Sequence, residues 1–140
     1  MPYYYLEPEV AGSWGGNTEV DTSVHPPAVS KLHYEFEGWL GDDLLTSFPS
    51  YIVSEKLKDK LSTASITGYK FDSVEITKSE QFDQVSSEQT LPNFYWLRVT
   101  GEAGIDDFGI TDDYRLVVSE AVLHILQTCN VEHCEIEIYP

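Results

Sequence analysis

The chain has 140 residues, the length of about one domain. Its 24 acidic and 8 basic residues give a formal net charge of −16, which argues against nucleic-acid binding and against docking on an anionic membrane. Hydrophobic residues make up 41% of the chain, enough for a folded core. No apolar run approaches the roughly 20 residues that span a bilayer. The first ten residues do not resemble a secretory signal, and two cysteines are too few for a disulfide scaffold. The sequence therefore predicts a cytoplasmic protein with reduced thiols.

Residues 1–30 are predicted to form an irregular N-terminal segment. A short strand at Tyr3–Leu6 is expected to stop at Pro8, because proline cannot donate to a strand ladder. A glycine-rich turn at 12–17 and the Pro26-Pro27 pair interrupt the rest. Residues 31–140 are predicted to form a single α+β domain.

Four segments carry the regular patterns in the first part of that domain. Residues 31–37 alternate as a half-buried strand does. Residues 50–53 are predicted to be a strand leading into a helix that Ser54 caps. Residues 69–77 read as a strand with a bulge near Ser73, and residues 94–100, apolar on both faces, as a central strand.

The last quarter of the chain resembles the middle. Residues 51–55 (YIVSE) and 116–120 (LVVSE) lie 65 positions apart, and Asp42-Asp43 recurs as Asp106-Asp107 at an offset of 64. Two explanations stay open: convergence on a common strand-to-helix junction, or internal duplication of a strand–helix–strand unit. The second helix, residues 120–129, is apolar around most of its circumference, so it is expected to be buried or covered by a partner.

The chain is predicted to end in a strand that buries Cys134, Ile136 and Ile138 and exposes Glu135 and Glu137. The predicted fold is α+β, with a mostly antiparallel or mixed sheet and two main helices on one face.

No catalytic, cofactor or metal motif is complete. Cys129, His133 and Cys134 have borderline spacing for zinc and are predicted to be non-ligating, with the cysteines acting as small buried hydrophobes. Ser54 and Ser119 lack the flanking glycines of a hydrolase nucleophile and are predicted to be helix caps. The sequence therefore predicts no catalytic residue, no bound metal and no cofactor.

Negative charge is the feature that remains. Two strands expose alternating glutamates and two loops are expected to expose aspartate pairs; placed in one sheet, the strands would form an acidic plate that steers a basic partner. The residues predicted to contact that partner are Glu35, Glu37, Asp42, Asp43, Asp106, Asp107, Glu135 and Glu137.

Several segments resemble bacterial immunity proteins of polymorphic toxin systems. They are the opening MPYYYLEPEV, the junction at 52–57, the strand FYWL at 94–97, and DDFG at 106–109 followed by LVVSE. The resemblance implies a small cytoplasmic protein that is not an enzyme and that binds and blocks a cognate toxin domain. Many such toxins are nucleases with basic clefts, which an acidic surface could occupy.

Two other classes of function are open at this point. Paired aspartates could serve a metal-dependent enzyme, and the apolar second helix could belong to a homo-oligomeric structural protein. The sequence does not identify the toxin or the oligomeric state.

Overall fold

The computed structural model describes residues 2–85 and 89–140. These residues form thirteen strands and three helices. The strands are β1 (Tyr3–Glu7), β2 (Gly12–Trp14), β3 (Glu19–Asp21), β4 (Ala28–Lys31), β5 (His33–Phe36), β6 (Leu44–Ser47), β7 (Ser50–Ser54), β8 (Tyr69–Asp72), β9 (Glu75–Lys78), β10 (Phe94–Val99), β11 (Phe108–Ile110), β12 (Leu116–Ser119) and β13 (Glu135–Tyr139). The helices are α1 (Glu55–Ser62), α2 (Glu80–Val85) and α3 (Glu120–Gln127). None of the helices in the described ranges is long and apolar enough to cross a membrane.

Two four-stranded antiparallel sheets share one arrangement. Their strand orders are β6-β7-β10-β8 and β11-β12-β1-β13. In each sheet a short outer strand pairs with the strand that leads into a helix, and the strand after that helix forms the opposite edge. The second interior strand of each sheet, β10 or β1, comes from elsewhere in the chain. The similarity between the two sheets and their helices therefore extends well beyond the serine junction. The fold contains an internal structural repeat.

The two repeated helices begin in the same way. Ser54 and Ser119 both have extended backbone angles, and each side chain accepts a hydrogen bond 3.3 Å long from a backbone amide three residues later. This geometry satisfies an amide that otherwise has no partner in the first turn. The predicted caps are confirmed. The ends correspond too, because Thr63 and Thr128 close the two helices with similar backbone angles.

The hydrophobic core has two parts. The first lies between the two four-stranded sheets and contains the buried faces of α1 and α3. The second lies on the other side of the β6-β7-β10-β8 sheet, against a three-stranded sheet of order β2-β5-β9. Because the β6-β7-β10-β8 sheet is covered on both faces, its interior strand buries both Trp96 and Leu97, at 5% and 1% exposure. The prediction of a central strand here is confirmed.

The N-terminal segment is more regular than predicted. β1 is an interior strand, paired antiparallel with β12 on one side and β13 on the other. β2, β3 and the start of β4 also lie within residues 1–30. The prediction of an irregular segment was wrong because the partners of β1 lie more than 100 residues away, beyond the reach of local patterns.

The segment predicted as one bulged strand is two strands in two sheets. β8 pairs with β10, whereas β9 pairs in parallel with β5. The change of apolar phase near Ser73 marks the passage from one sheet to the other. The described residues also contain a third helix, α2, which was not predicted; it buries Phe82 in the second core.

The end of the chain is more exposed than predicted. One face of α3 is solvent-exposed, with Ala121, His124 and Gln127, and the helix packs on α1, β12 and β1. β13 is therefore an edge strand with little cover. Ile136 and Ile138, predicted to be buried, are 46% and 75% exposed.

Candidate functional site

The two glutamate-bearing strands do not share a sheet. β5, with Glu35, belongs to the three-stranded sheet, and β13, with Glu135 and Glu137, to the β11-β12-β1-β13 sheet. Glu35 is half-buried, and Glu37 accepts a 2.7 Å hydrogen bond from the Ser13 hydroxyl. The single acidic plate predicted from the sequence is therefore not formed.

The first aspartate pair is buried rather than exposed. Asp42 and Asp43 are 1% and 6% exposed. The Asp43 carboxylate accepts the Ser54 hydroxyl at 2.7 Å and the Asn130 amide at 2.8 Å. The prediction that this loop displays free charge was wrong, because the chain uses these carboxylates to hold its own backbone.

The second aspartate pair is half-buried and has a similar structural role. Asp107 accepts the Ser119 hydroxyl at 2.7 Å and the Thr67 amide at 2.9 Å. Asp106 accepts the amide of Glu102 at 2.8 Å. Of the eight predicted contact residues, three are exposed: Glu37, which follows β5, and Glu135 and Glu137, which lie together on β13.

A third glutamate joins them. The register pairs Glu7 of β1 directly with Glu135 and pairs Tyr5 with Glu137. Alternation along the strands places all of these side chains on the face of the sheet that points away from the first core. We call this the terminal-strand surface, and its members are Tyr3, Tyr5, Glu7, Arg115, Glu135, Glu137 and Tyr139.

Aromatic rings make up the rest of that surface. Tyr5 and Tyr139 meet edge to face, with ring centroids 5.2 Å apart, and the Arg115 guanidinium carbon lies 3.7 Å from the Tyr5 centroid. The Arg115 guanidinium also lies 3.9 Å from the Glu7 carboxylate and 3.6 Å from that of Glu137. Arg115 thus contacts two of the three glutamates of this surface, and one arginine with three glutamates leaves the group with a net charge of −2.

A separate polar cluster lies at the end of β1. Glu9, Asp42 and His133 each place one potential metal-ligand atom within 4.8 Å of the others. His133 Nδ1 is 3.0 Å from Asp42 Oδ1, and the Asp42 carboxylate also accepts the backbone amides of Glu132 and His133, at 3.1 and 2.7 Å. The Glu9 carboxylate accepts the Leu40 amide at 2.8 Å through Oε2.

Glu9 is incompletely satisfied. It is 7% exposed, and its Oε1 is buried with no hydrogen-bond partner among the described residues. Burial raises the pKa of Glu9, and the nearby Asp42 carboxylate raises it further, against the lowering effect of the Leu40 amide. The hydrogen bond with Asp42 raises the pKa of His133 above its usual value. Glu9 and His133, but not Asp42, line a cavity of about 590 Å³ that also borders Tyr51 and Arg115.

Sequence reasoning missed Glu7, Glu9 and the connection of His133 to Asp42. Glu9 and His133 lie 33 and 91 residues from Asp42 in the chain, so no spacing pattern joins them. The sequence marks Glu9 only as the residue that follows Pro8, where the first strand is expected to have ended, and this position predicts no chemistry.

Comparison with known proteins adds no assignment. No protein-family model matches the chain, and no curated protein matches it.

Proposed function

We propose that the protein is a cytoplasmic immunity protein that binds a cognate bacterial toxin domain through the terminal-strand surface and blocks it without catalysis. The resemblance noted in the sequence and the overall charge of −16 support this proposal. The observation that carries it is the direct pairing of Glu7 with Glu135, beside exposed Glu137.

That pairing is unfavourable for the isolated fold. Like charges directly opposite each other on neighbouring strands destabilise a sheet. Arg115 offsets part of the repulsion for Glu7 and Glu137. A cationic partner would relieve the remainder, so charge placement that costs stability in the free protein favours the complex.

The tyrosines provide the contact area that charge alone does not. Tyrosine is enriched at the energetic centres of protein interfaces, where it buries a large ring and keeps a polar end. Tyr3 and Tyr139 are half-buried neighbours, and exposed Ile105 lies next to them, its carbonyl accepting the Tyr3 hydroxyl at 3.2 Å. We infer that these apolar groups form the centre of the interface and that the glutamates steer a basic toxin, such as a nuclease, onto it.

The test is protection of cells from the toxin domain that this proposal places in an adjacent gene. Cells that express that domain are expected to grow when they also express the wild-type protein, and to stop growing with a Glu7→Gln, Glu135→Gln, Glu137→Gln variant. A matched control is Glu19→Gln, Asp59→Asn, Glu80→Gln, which removes the same charge from exposed positions elsewhere. The control variant is expected to protect as the wild type does.

Purified proteins give the second measurement. Binding of the wild type to the toxin domain should weaken as salt is raised, mostly through a slower association rate, and the triple glutamine variant should lose most of that salt dependence. Equal protection and equal salt dependence for both triple variants would refute the terminal-strand surface as the interface. An adjacent gene whose product is not toxic would refute the proposed function.

A further inference from the structure

We propose that Glu9, Asp42 and His133 bind one divalent transition-metal ion, with Zn²⁺ the best fit to their donor atoms. The proposal goes beyond toxin binding, because the three residues lie outside the terminal-strand surface. Either proposal can fail without the other.

The spacing of the three groups suits a single ion. Zinc lies about 2.0–2.2 Å from nitrogen and oxygen ligands, so ligands of one ion are necessarily within a few ångströms of each other. The three side chains already place ligand atoms within 4.8 Å of one another, and His133 Nδ1 and Asp42 Oδ1 are 3.0 Å apart. One ion requires these atoms to lie slightly closer together than 4.8 Å, and His133 is the exposed member of the three.

The donor set favours zinc over the hard cations. Imidazole is a ligand for zinc and its neighbours in the transition series, whereas Mg²⁺ and Ca²⁺ prefer all-oxygen sites. Two carboxylates and one imidazole are three protein ligands, the number that leaves a fourth position open on a zinc ion. The cavity of about 590 Å³ that borders Glu9 and His133 gives that position room for water or another ligand.

One oxygen of the buried Glu9 carboxylate lacks an interaction partner, which a metal ion would supply. Glu9 is 93% buried (100 − 7), and its Oε1 has no hydrogen-bond partner in the described part of the chain. A buried carboxylate oxygen without a partner is costly, and the cost is higher beside the second carboxylate of Asp42. A cation between them satisfies the free oxygen and removes the repulsion.

The Asp42 side chain is already held in place. Its carboxylate accepts two backbone amides from the loop after α3, at 3.1 and 2.7 Å. Hydrogen bonds of this kind orient metal-binding carboxylates and strengthen binding. The same loop carries His133, so one backbone segment positions two of the three ligands relative to each other.

Among the described residues, the other half of the repeat has no comparable cluster of potential ligands. Asp106 is the counterpart of Asp42, but its carboxylate accepts the Glu102 amide instead of amides from the loop after the helix of its half. A Cβ atom built on Gly68 or Gly101 would come within 2.9 or 2.6 Å of the Asp106 Cβ, so glycines let the chain close around that aspartate. Backbone atoms therefore pack closely around Asp106, whereas titratable side chains surround Asp42.

The experiment is a calorimetric titration of the full chain with ZnCl₂, after treatment with chelator. The wild type is expected to bind one Zn²⁺ per chain and to give no heat with Mg²⁺ or Ca²⁺. His133→Ala and Glu9→Gln should each weaken binding at least ~100-fold, more than the 10–100-fold typical of losing an outer hydrogen-bond partner. His124→Ala, the same change at an exposed histidine of α3, should bind as the wild type does.

Two further variants separate this site from other zinc sites. Cys129→Ser, Cys134→Ser should keep wild-type affinity, because the proposed ligands include no thiolate. Asp42→Asn should lose binding while Asp106→Asn keeps it. His133 is an exposed side chain, so its alanine variant should fold, and circular dichroism checks this for every variant. Absence of binding by the wild type, unchanged binding by His133→Ala, or loss of binding in the cysteine variant would overturn the proposal.

Discussion

Asp43 and Asp107 occupy equivalent positions in the two halves of the repeat, and each carboxylate links its own half to the other. Each accepts the hydroxyl of its own helix-capping serine, Ser54 or Ser119, at 2.7 Å. The second oxygen of Asp43 accepts the amide of Asn130, after α3, and that of Asp107 accepts the amide of Thr67, after α1. Each aspartate therefore connects the helix cap of its own half to the loop that follows the helix of the other half.

Asparagine at these positions should destabilise the protein unequally. Asparagine has one acceptor oxygen instead of two, so each substitution leaves one of the bonded donors without its partner. For Asp43, which is 6% exposed, the expected loss in free energy of unfolding is about 1–3 kcal/mol. For Asp107, which is half-buried, water replaces the lost acceptor and the loss should be smaller. Urea unfolding of Asp43→Asn and Asp107→Asn measures both, and equal losses would contradict the role of burial.

Alanine at Gly68 should be strongly destabilising. Gly68 has a φ of +92°, and a Cβ there would overlap the carbonyl oxygen of Phe108. The left-handed backbone costs roughly 1–2 kcal/mol for a residue with a side chain, and the overlap adds to it. We expect a loss of about 2 kcal/mol or more in the free energy of unfolding.

Gly38→Ala is the control for that substitution. Gly38 has no atom within 4 Å of a built Cβ and no positive φ, so alanine there should be neutral or should stabilise by up to about 1 kcal/mol. Similar thermal midpoints for the two variants would contradict the strain assigned to Gly68.

Substitution by threonine should destabilise the protein much more at Val118 than at Ile138. Val118 and Ile138 both pair with Tyr4, on opposite sides of β1. Val118 is fully buried, so Val118→Thr buries a hydroxyl and should cost about 1–3 kcal/mol. Ile138 is 75% exposed, so Ile138→Thr should change stability by less than about 0.5 kcal/mol. Chemical denaturation compares them directly, and a large loss for Ile138→Thr would show that β13 is covered in solution.

Asp72 should contribute to the acid sensitivity of the fold. The Ser73 amide and then the Arg98 guanidinium, 3.1 Å away, hold the pKa of Asp72 below its ordinary value of 3.8. Because the folded pKa is the lower one, the contribution is fully present above 3.8 and is lost as pH falls through the folded pKa. An NMR titration of the carboxyl carbons should show the low pKa in the wild type and a higher one in Arg98→Gln. The same pKa in both proteins would remove Arg98 from the explanation.

Local patterns were sufficient for features that depend on a few neighbouring residues. The serine caps at 54 and 119 were predicted because capping requires only the side chain and the next three amides. The central strand around Trp96 was predicted because apolar residues on both faces require cover on both faces. The recurrence of aspartate pairs and serine junctions made internal duplication one of two open explanations, and the shared order of the two sheets supports a structural repeat.

The tertiary structure determines which charged side chains are buried and which of them face one another. Asp42 and Asp43 look like a solvent-exposed acidic turn in the sequence, and they are buried because loops near residue 130 supply backbone donors to them. Glu7 and Glu135 become opposed only when the first and last strands pair. A sequence shows which residues carry charge and where a serine can cap a helix, because those properties are set by near neighbours. Which carboxylates meet, and which of them meets His133, depends on contacts between residues that are far apart in the chain, such as 33 positions for Glu9 and Asp42 and 91 for Asp42 and His133. Only the packed chain determines these contacts.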